Sequence, residues 1–299
     1  MKKIYISGAG GMLGEAFKKI FSDSYELRCT DIDLNSDWLS YCDIRNENDY
    51  SADVFKFQPD YLFHLGAITD LEYCEIHPDN AYHTNTLSVE FACRIANRLN
   101  IPLLYISTAG IFDGKKDVYD DWDDARPIGV YARSKYLGEL VVKEQLKNYL
   151  ICRAGWMMGG GPSKDKKFIN KIIRQIQAGT KELNVVNDKL GTPTYTIDFA
   201  RNVKLLLDRK ESGLYNMVCE GVTSRIDVLT ELLSILECQN KIAVNQVQSD
   251  YFLKEYFAPR PDSERLINYK LNLKKLNIMR PWQISLKEYL TEYFHDLKL

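Results

Sequence analysis

Tyr131 and Lys135 stand four residues apart in Gly129-Val-Tyr131-Ala-Arg-Ser-Lys135-Tyr-Leu-Gly-Glu139, a spacing that puts two side chains on one face of a helix. A phenol with a pKa near 10 exchanges protons poorly at neutral pH unless a neighbouring cation depresses it. Lys135 is placed to be that cation, and its reach also suits it to a ribose hydroxyl. Upstream, the apolar run Leu103-Leu-Tyr-Ile ends in Ser107-Thr108, and either hydroxyl can hydrogen-bond a carbonyl oxygen. A positioned proton donor and a hydroxyl at one carbonyl are the equipment for its reduction.

Reduction needs a hydride carrier, and the start of the chain is built for one. Lys3–Ser7 is a short apolar strand, followed by Gly8-Ala-Gly-Gly11-Met12-Leu13-Gly14 and a helical pattern to about Phe21. Gly8 gives the turn its freedom, Gly11 lets backbone approach a pyrophosphate, and Gly14 permits close helix–strand contact. Met12 and Leu13 open the helix, whose unpaired N–H groups and positive end face the phosphates. Asp31 closes the next strand, where an acid takes the adenosine ribose hydroxyls. Asp33 beside it would repel a 2′-phosphate, so the expected cofactor is NAD(P)H with NADH slightly preferred. Asp43 and Ile44 fall at the following turn as contacts for the adenine edge. Gly66 and Ala67 are small enough for a cofactor to lie on the backbone, whereas His64 reads as a core histidine.

Positioning these residues takes an alternating α/β chain. Strands are expected at 3–7, 25–30, 60–65, 102–107 and 148–153, with helices near 13–21, 46–56, 79–99 and 129–147 between them. The fold class is α/β, a Rossmann-type doubly wound parallel sheet with a smaller, discontinuous α/β substrate lobe. Residues 1–154 form the nucleotide-binding part, rejoined by about 181–219 through strands at 183–186 and 214–218 and a helix at 196–209. Residues 155–180 and 220–299 form the lobe, with amphipathic helices at 166–178 and 284–297. Gly159–Gly161 either admit a substrate or simply connect. An aspartate-rich loop, 117–124, delivers the chain to Gly129.

The chain of 299 residues is 45% hydrophobic and 27% charged, with a net charge of −2, so no global basic field marks a nucleic-acid partner. Lys164, Lys166 and Lys167 accordingly read as a solvated loop. No run approaches the ~18 apolar residues of a membrane span, and no signal segment precedes Gly8; a cytoplasmic protein is expected. Seven scattered cysteines give neither a disulfide frame nor a zinc pattern. Cys74 and His77 lack a second ligand pair, and no metal is expected.

Taken together, the glycine turn, the Ser107-Thr108 strand end and the Tyr131/Lys135 helix resemble the extended short-chain dehydrogenase/reductase family, and within it the dTDP-4-dehydrorhamnose reductase group. Ser107-Thr-Ala-Gly-Ile-Phe-Asp-Gly114 is similar to that group's Ser-Thr-Asp-Tyr-Val-Phe-x-Gly, and Tyr131 through Glu139 to its Tyr-Gly-x-x-Lys-x-x-Gly-Glu. Arg153-Ala-Gly-Trp156 resembles Arg-Thr-x-Trp, Gly191-Thr-Pro-Thr194 resembles Gly-x-Pro-Thr, and Arg260-Pro261-x-Ser263-x-x-Leu266 resembles Arg-Pro-x-x-Ser-x-Leu. The resemblance implies hydride transfer from NAD(P)H to the 4-keto group of a nucleotide-linked 6-deoxysugar, for surface polysaccharide. It carries over Thr108, Tyr131 and Lys135 as the catalytic set, Asn85 as a cofactor-side residue, and Thr108, Trp156 and Arg260 toward the substrate, Arg260 because a guanidinium suits a diphosphate. A homodimer is a further expectation.

Two departures from the group matter. Ala109-Gly110 replaces Asp-Tyr, removing a carboxylate and a phenol from beside the sugar, and Ala132 replaces a glycine that a helix spares easily. Two rivals remain: an epimerase or dehydratase on the same scaffold, and a non-catalytic subunit that keeps the cofactor, as the β-subunit of methionine adenosyltransferase does. The missing acid/base pair counts against a dehydratase but not an epimerase.

Overall fold

Ile4, Tyr5 and Ile6 are all fully buried, with Ile4 and Ile6 in one apolar core and Tyr5 in another. That is the alternation of a strand covered on both faces. The computed structural model, which describes residues 1–295, carries it through a chain of strands β1 (Lys2–Ser7), β2 (Tyr25–Asp31), β3 (Ser40–Tyr41), β4 (Tyr61–His64), β5 (Leu103–Thr108), β6 (Tyr149–Ala154), β7 (Trp156–Met158), β8 (Glu182–Val186), β9 (Leu190–Gly191), β10 (Pro193–Tyr195), β11 (Gly213–Asn216), β12 (Thr223–Ser224), β13 (Ala243–Val247) and β14 (Ser263–Glu264).

Seven of them form one sheet in the order β11-β6-β5-β4-β1-β2-β3, every neighbouring pair parallel. Strand order reverses at β1, and in open α/β sheets the crevice at such a reversal, beyond the strands' C-terminal ends, takes the ligand.

Helices α1 (Met12–Phe21), α2 (Glu47–Phe57), α3 (Leu71–Ile76), α4 (Pro78–Tyr82), α5 (Ser88–Leu99), α6 (Val130–Gln145), α7 (Gly161–Lys164), α8 (Phe168–Gln177), α9 (Thr196–Asp208), α10 (Arg225–Ile235), α11 (Tyr269–Leu273) and α12 (Trp282–Phe294) complete the chain. Leu13, Phe17 and Phe21 of α1 share one core with Phe199, Val203 and Leu206 of α9. Tyr50 and Val54 of α2, Val89 and Ala92 of α5 and Val142 of α6 fill the other. Glu139 of α6 and Arg153 of β6, 0% and 3% exposed, join in a bidentate pair at 2.9 and 2.8 Å, which locks the helix to the sheet.

Three local expectations are corrected. The helix expected over 79–99 is broken: α4 ends at Tyr82, a π-helical turn spans His83–Leu87, and α5 follows. Asn85 lies in that wider turn with its side chain bonded to Ile68 and Ser134, a tertiary demand that periodicity does not register. The strand at 183–186 does not return to the main sheet; β8 pairs in parallel with β13, while β11 does return, beside β6. The last helix ends at Phe294, and residues 296 and 297 of the expected span lie outside the described residues.

Candidate active site

A single cavity of about 1500 Å³ runs along the C-terminal ends of the central strands. Its walls include Gly8, Gly11, Met12, Leu13, Asp31, Asp43, Ile44, Gly66, Ala67, Ser107, Thr108, Tyr131, Lys135, Trp156 and Arg260. Thus the structure brings together every anticipated site residue except Asn85. Asn85 is fully buried and stands behind the wall: Oδ1 accepts from Ile68 N at 2.8 Å, and Nδ2 donates to Ile68 O and Ser134 Oγ at 3.0 Å each. It ties the Ile68 loop to α6.

At the cofactor end, Gly8 has φ +71, and a Cβ there would run into the backbone of Gly66. Only glycine meets both demands. Gly10, which the motif reading passed over, donates its N–H to Asp31 Oδ2 at 2.8 Å, and Asp33 N donates to Oδ1 at 2.9 Å. Asp31 therefore braces the glycine turn, and each oxygen keeps a lone pair for a further donor. Asp43 is clamped by Arg45 at 2.7 Å, which holds its carboxyl below the usual range. Ser107 Oγ is buried without a hydrogen-bond partner, a polar atom left for a ligand. With the Cβ-free cradle at Gly8 and Gly11, these residues fit a dinucleotide.

In the middle, Thr108, Tyr131 and Lys135 converge. Thr108 Oγ1 accepts from Gly110 N at 3.1 Å, fixing the hydroxyl at the strand end. Lys135 is 4% exposed, its Nζ 4.2 Å from the Tyr105 ring centroid, and burial pushes its pKa down to about 7 against the pull of Glu139. Burial raises the Tyr131 phenol well above its ordinary value, opposed by a hydrogen bond with Thr108. This differs from the expectation that Lys135 depresses Tyr131: burial dominates at the phenol and raises it. His64 is a core residue as read, its ring within hydrogen-bond distance of Ser7, Tyr50 and Ser88 and its pKa lowered to about 3 by burial.

The substrate end is assembled from short strand pairs, β7 with β10, and β9 between β12 and β14. Trp156 Nε1 donates to Glu264 Oε2 at 2.8 Å, and Arg225 lies over the Trp156 ring at 3.6 Å. Arg260, expected to be open to a phosphate, is ion-paired with Glu72 at 2.8 Å and caps Ala258 O. Arg225 has no hydrogen bond or ion pair among the described residues and lines the cavity. No motif marked it. The lysines read as a solvated loop also line the cavity: the Lys164 side chain is 6% exposed beside Glu15, and Lys167 Nζ donates to Thr69 at 3.2 Å. Segment 161–167, which opens with α7, packs on the start of α1 through Lys164 and Glu15, a tertiary contact that local charge cannot foretell.

A parallel sheet with its ligand crevice at the strand reversal, a glycine turn on one side and a Thr–Tyr–Lys set on the other define an extended short-chain dehydrogenase/reductase. The particular family follows from comparison. Residues 1–295 match the RmlD substrate binding domain, and the chain belongs to that family. It is 28% identical, over 98% of both chains, to the spore coat polysaccharide biosynthesis protein SpsK of Bacillus subtilis. Among solved structures it is similar to a dTDP-4-dehydrorhamnose reductase from Clostridium acetobutylicum, with 31% identity, TM-score 0.88 and coverage of 97% and 99% of the two chains. It is also similar to the Bacillus anthracis reductase in complex with NADP, with 27% identity, TM-score 0.89 and coverage of 98% and 100%.

Among the described residues no helix is long and apolar enough to cross a membrane, and no group of three or more His, Cys, Asp or Glu is placed to hold a metal. All seven cysteines are free and buried.

Proposed function

We propose that this protein is an NAD(P)H-dependent reductase of the 4-keto group of a nucleotide-linked 6-deoxysugar, serving polysaccharide formation. The observation that carries this is the convergence of Thr108, Tyr131 and Lys135 in the cavity that the glycine turn opens. Bound along Gly8–Leu13, the nicotinamide cofactor supplies the hydride. The chain supplies the rest. Tyr131, kept protonated by its burial, holds the proton that the 4-keto oxygen takes as it becomes a hydroxyl. Thr108 hydrogen-bonds that oxygen while negative charge develops on it. Lys135, titrating near neutrality, holds the nicotinamide ribose and can return a proton to the phenol. Ser107, Gly66 and Ala67 form the floor on which the cofactor lies, and Trp156 and Arg225 flank the nucleotide-sugar.

Asp31 and Asp33 support a finer reading, NADH ahead of NADPH, because a 2′-phosphate would meet two carboxylates; the Bacillus anthracis relative holds NADP. Residues 1–154 with 187–219 receive the cofactor on this reading, and 155–186 with 220–299 the sugar. The free cysteines support a cytoplasmic setting. Leu137 and Leu140, about 40% exposed on α6, support a homodimer.

The test is consumption of NADH and NADPH at 340 nm with a panel of 4-keto nucleotide-sugars, run beside Tyr131→Phe. The variant keeps ring and packing and loses the proton, so turnover should fall ~10²–10⁴-fold with cofactor affinity unchanged. Full activity in the variant would place the acid elsewhere. A parent that binds cofactor and reduces no sugar would point to the regulatory alternative.

A further inference from the structure

At the substrate end a strand end that lacks a carboxylate meets one from β14. Where the group has Asp-Tyr, this chain has Ala109-Gly110, and Glu264 of β14 stands against Gly110. A Cβ built on Gly110 would lie 3.1 Å from Glu264 Oε1 and 3.5 Å from Thr108 Oγ1. The absence of a side chain at 110 therefore leaves open a space that Glu264 Oε1 and Thr108 Oγ1 both border. The strand end carries no carboxylate of its own, and β14 brings one to it.

The surroundings hold Glu264 with one oxygen to spare. Oε2 accepts from Trp156 Nε1, while Arg225 covers that indole at 3.6 Å and its charge interacts with Glu264. Glu264 also acts on Tyr131 through its negative charge and lines the cavity together with Thr108 and Tyr131. For Oε1 no hydrogen bond is found among the described residues.

We propose that Glu264 is a specificity-determining residue whose Oε1 accepts a hydrogen bond from the hexose hydroxyl next to the 4-carbon, in the space Gly110 leaves open. The inference rests on the reductase reading above. It identifies the hydroxyl by chemistry: of the two carbons flanking C4 in a 6-deoxyhexose, C5 carries the methyl group and ring oxygen, so only C3 offers a donor. A carboxylate oxygen makes a strong bond to a hydroxyl and goes without it when that donor is missing, which favours 3-hydroxy sugars over 3-deoxy ones.

Calorimetric binding tests this without turnover, using dTDP, a dTDP-6-deoxyhexose and its 3-deoxy analogue on the NADPH-loaded protein. The parent should bind the 3-hydroxy ligand about tenfold more tightly than the 3-deoxy ligand. Glu264→Gln, which keeps an acceptor for Trp156, should bring the two within about twofold of each other while dTDP affinity stays put. Gly110→Ala should act in the same direction by displacing Oε1. Thermal melting checks that both variants fold, and if Gly110→Ala does not, Glu264→Gln alone decides. An unchanged preference in Glu264→Gln, or no preference in the parent, overturns the assignment of Glu264. The reductase reading is judged separately, by NADPH consumption.

Discussion

Along the cofactor wall, Gly10 N reaches Asp31 across 21 residues of chain; along the substrate wall, Trp156 reaches Glu264 across 108 and Arg260 reaches Glu72 across 188. The first wall is mostly backbone, shaped by glycines and strand ends of one continuous sheet. The second is mostly side chains, gathered by two- and three-stranded pieces. A backbone site depends on where small residues sit in a local motif, and tolerates few changes. A side-chain site can be rebuilt residue by residue while the scaffold stays put.

The same chemistry on the two sides of the molecule makes the sharpest test of this contrast. Glu139–Arg153 is buried in the scaffold, whereas Glu72–Arg260 at the substrate wall is 20% and 29% exposed. We predict that Glu139→Gln lowers unfolding free energy by ~3–5 kcal/mol, since it strands a buried guanidinium. Glu72→Gln should cost no more than ~1 kcal/mol. Equal losses in urea titrations would show that the two regions are not built on different terms.

Lys135 sets a pH signature on the scaffold. Its pKa falls from 10.5 in the free side chain to about 7 in the fold, so the unfolded chain binds the extra proton between those values and stability rises with pH there. The penalty of burying the ammonium is complete below pH 7 and fades toward pH 10.5. Lys135→Met should therefore be more stable than the parent at pH 7, by a margin that shrinks ~2–4 kcal/mol by pH 10. A margin that does not change with pH would mean that Lys135 is buried as a full cation.

On the substrate wall, Arg225→Gln should weaken dTDP binding by ~1.5–2 kcal/mol, because its guanidinium holds no hydrogen bond or close ion pair among the described residues that a phosphate would have to displace. Arg260→Gln, whose partner is Glu72, should change it by less than ~0.5 kcal/mol. The reverse order in calorimetry would restore Arg260 as the diphosphate contact. The smallest effect is expected on the cofactor wall: several-fold tighter NADH than NADPH by fluorescence titration, a difference of ~1 kcal/mol. Asp31→Ala should erase it, and tighter NADPH in the parent would remove the role given to Asp31.

The sheet, the glycine turn and the placement of Thr108, Tyr131 and Lys135 were legible in the sequence. Each of these is written in short-range pattern: alternation within a strand, glycines at a helix start, an i, i+4 pair on one helix face. Tertiary structure decided what depends on long-range packing. Asn85 is tied to Ile68 and Ser134, and Lys164 of segment 161–167 is brought to Glu15 at the start of α1. Strand β8 goes to β13 and leaves the main sheet, and Arg260 pairs with Glu72 while Arg225 lies over Trp156. Burial, too, belongs to the fold alone: the i, i+4 spacing places Lys135 beside Tyr131, but only the packed interior decides that the lysine loses its proton near neutrality and the phenol keeps its own.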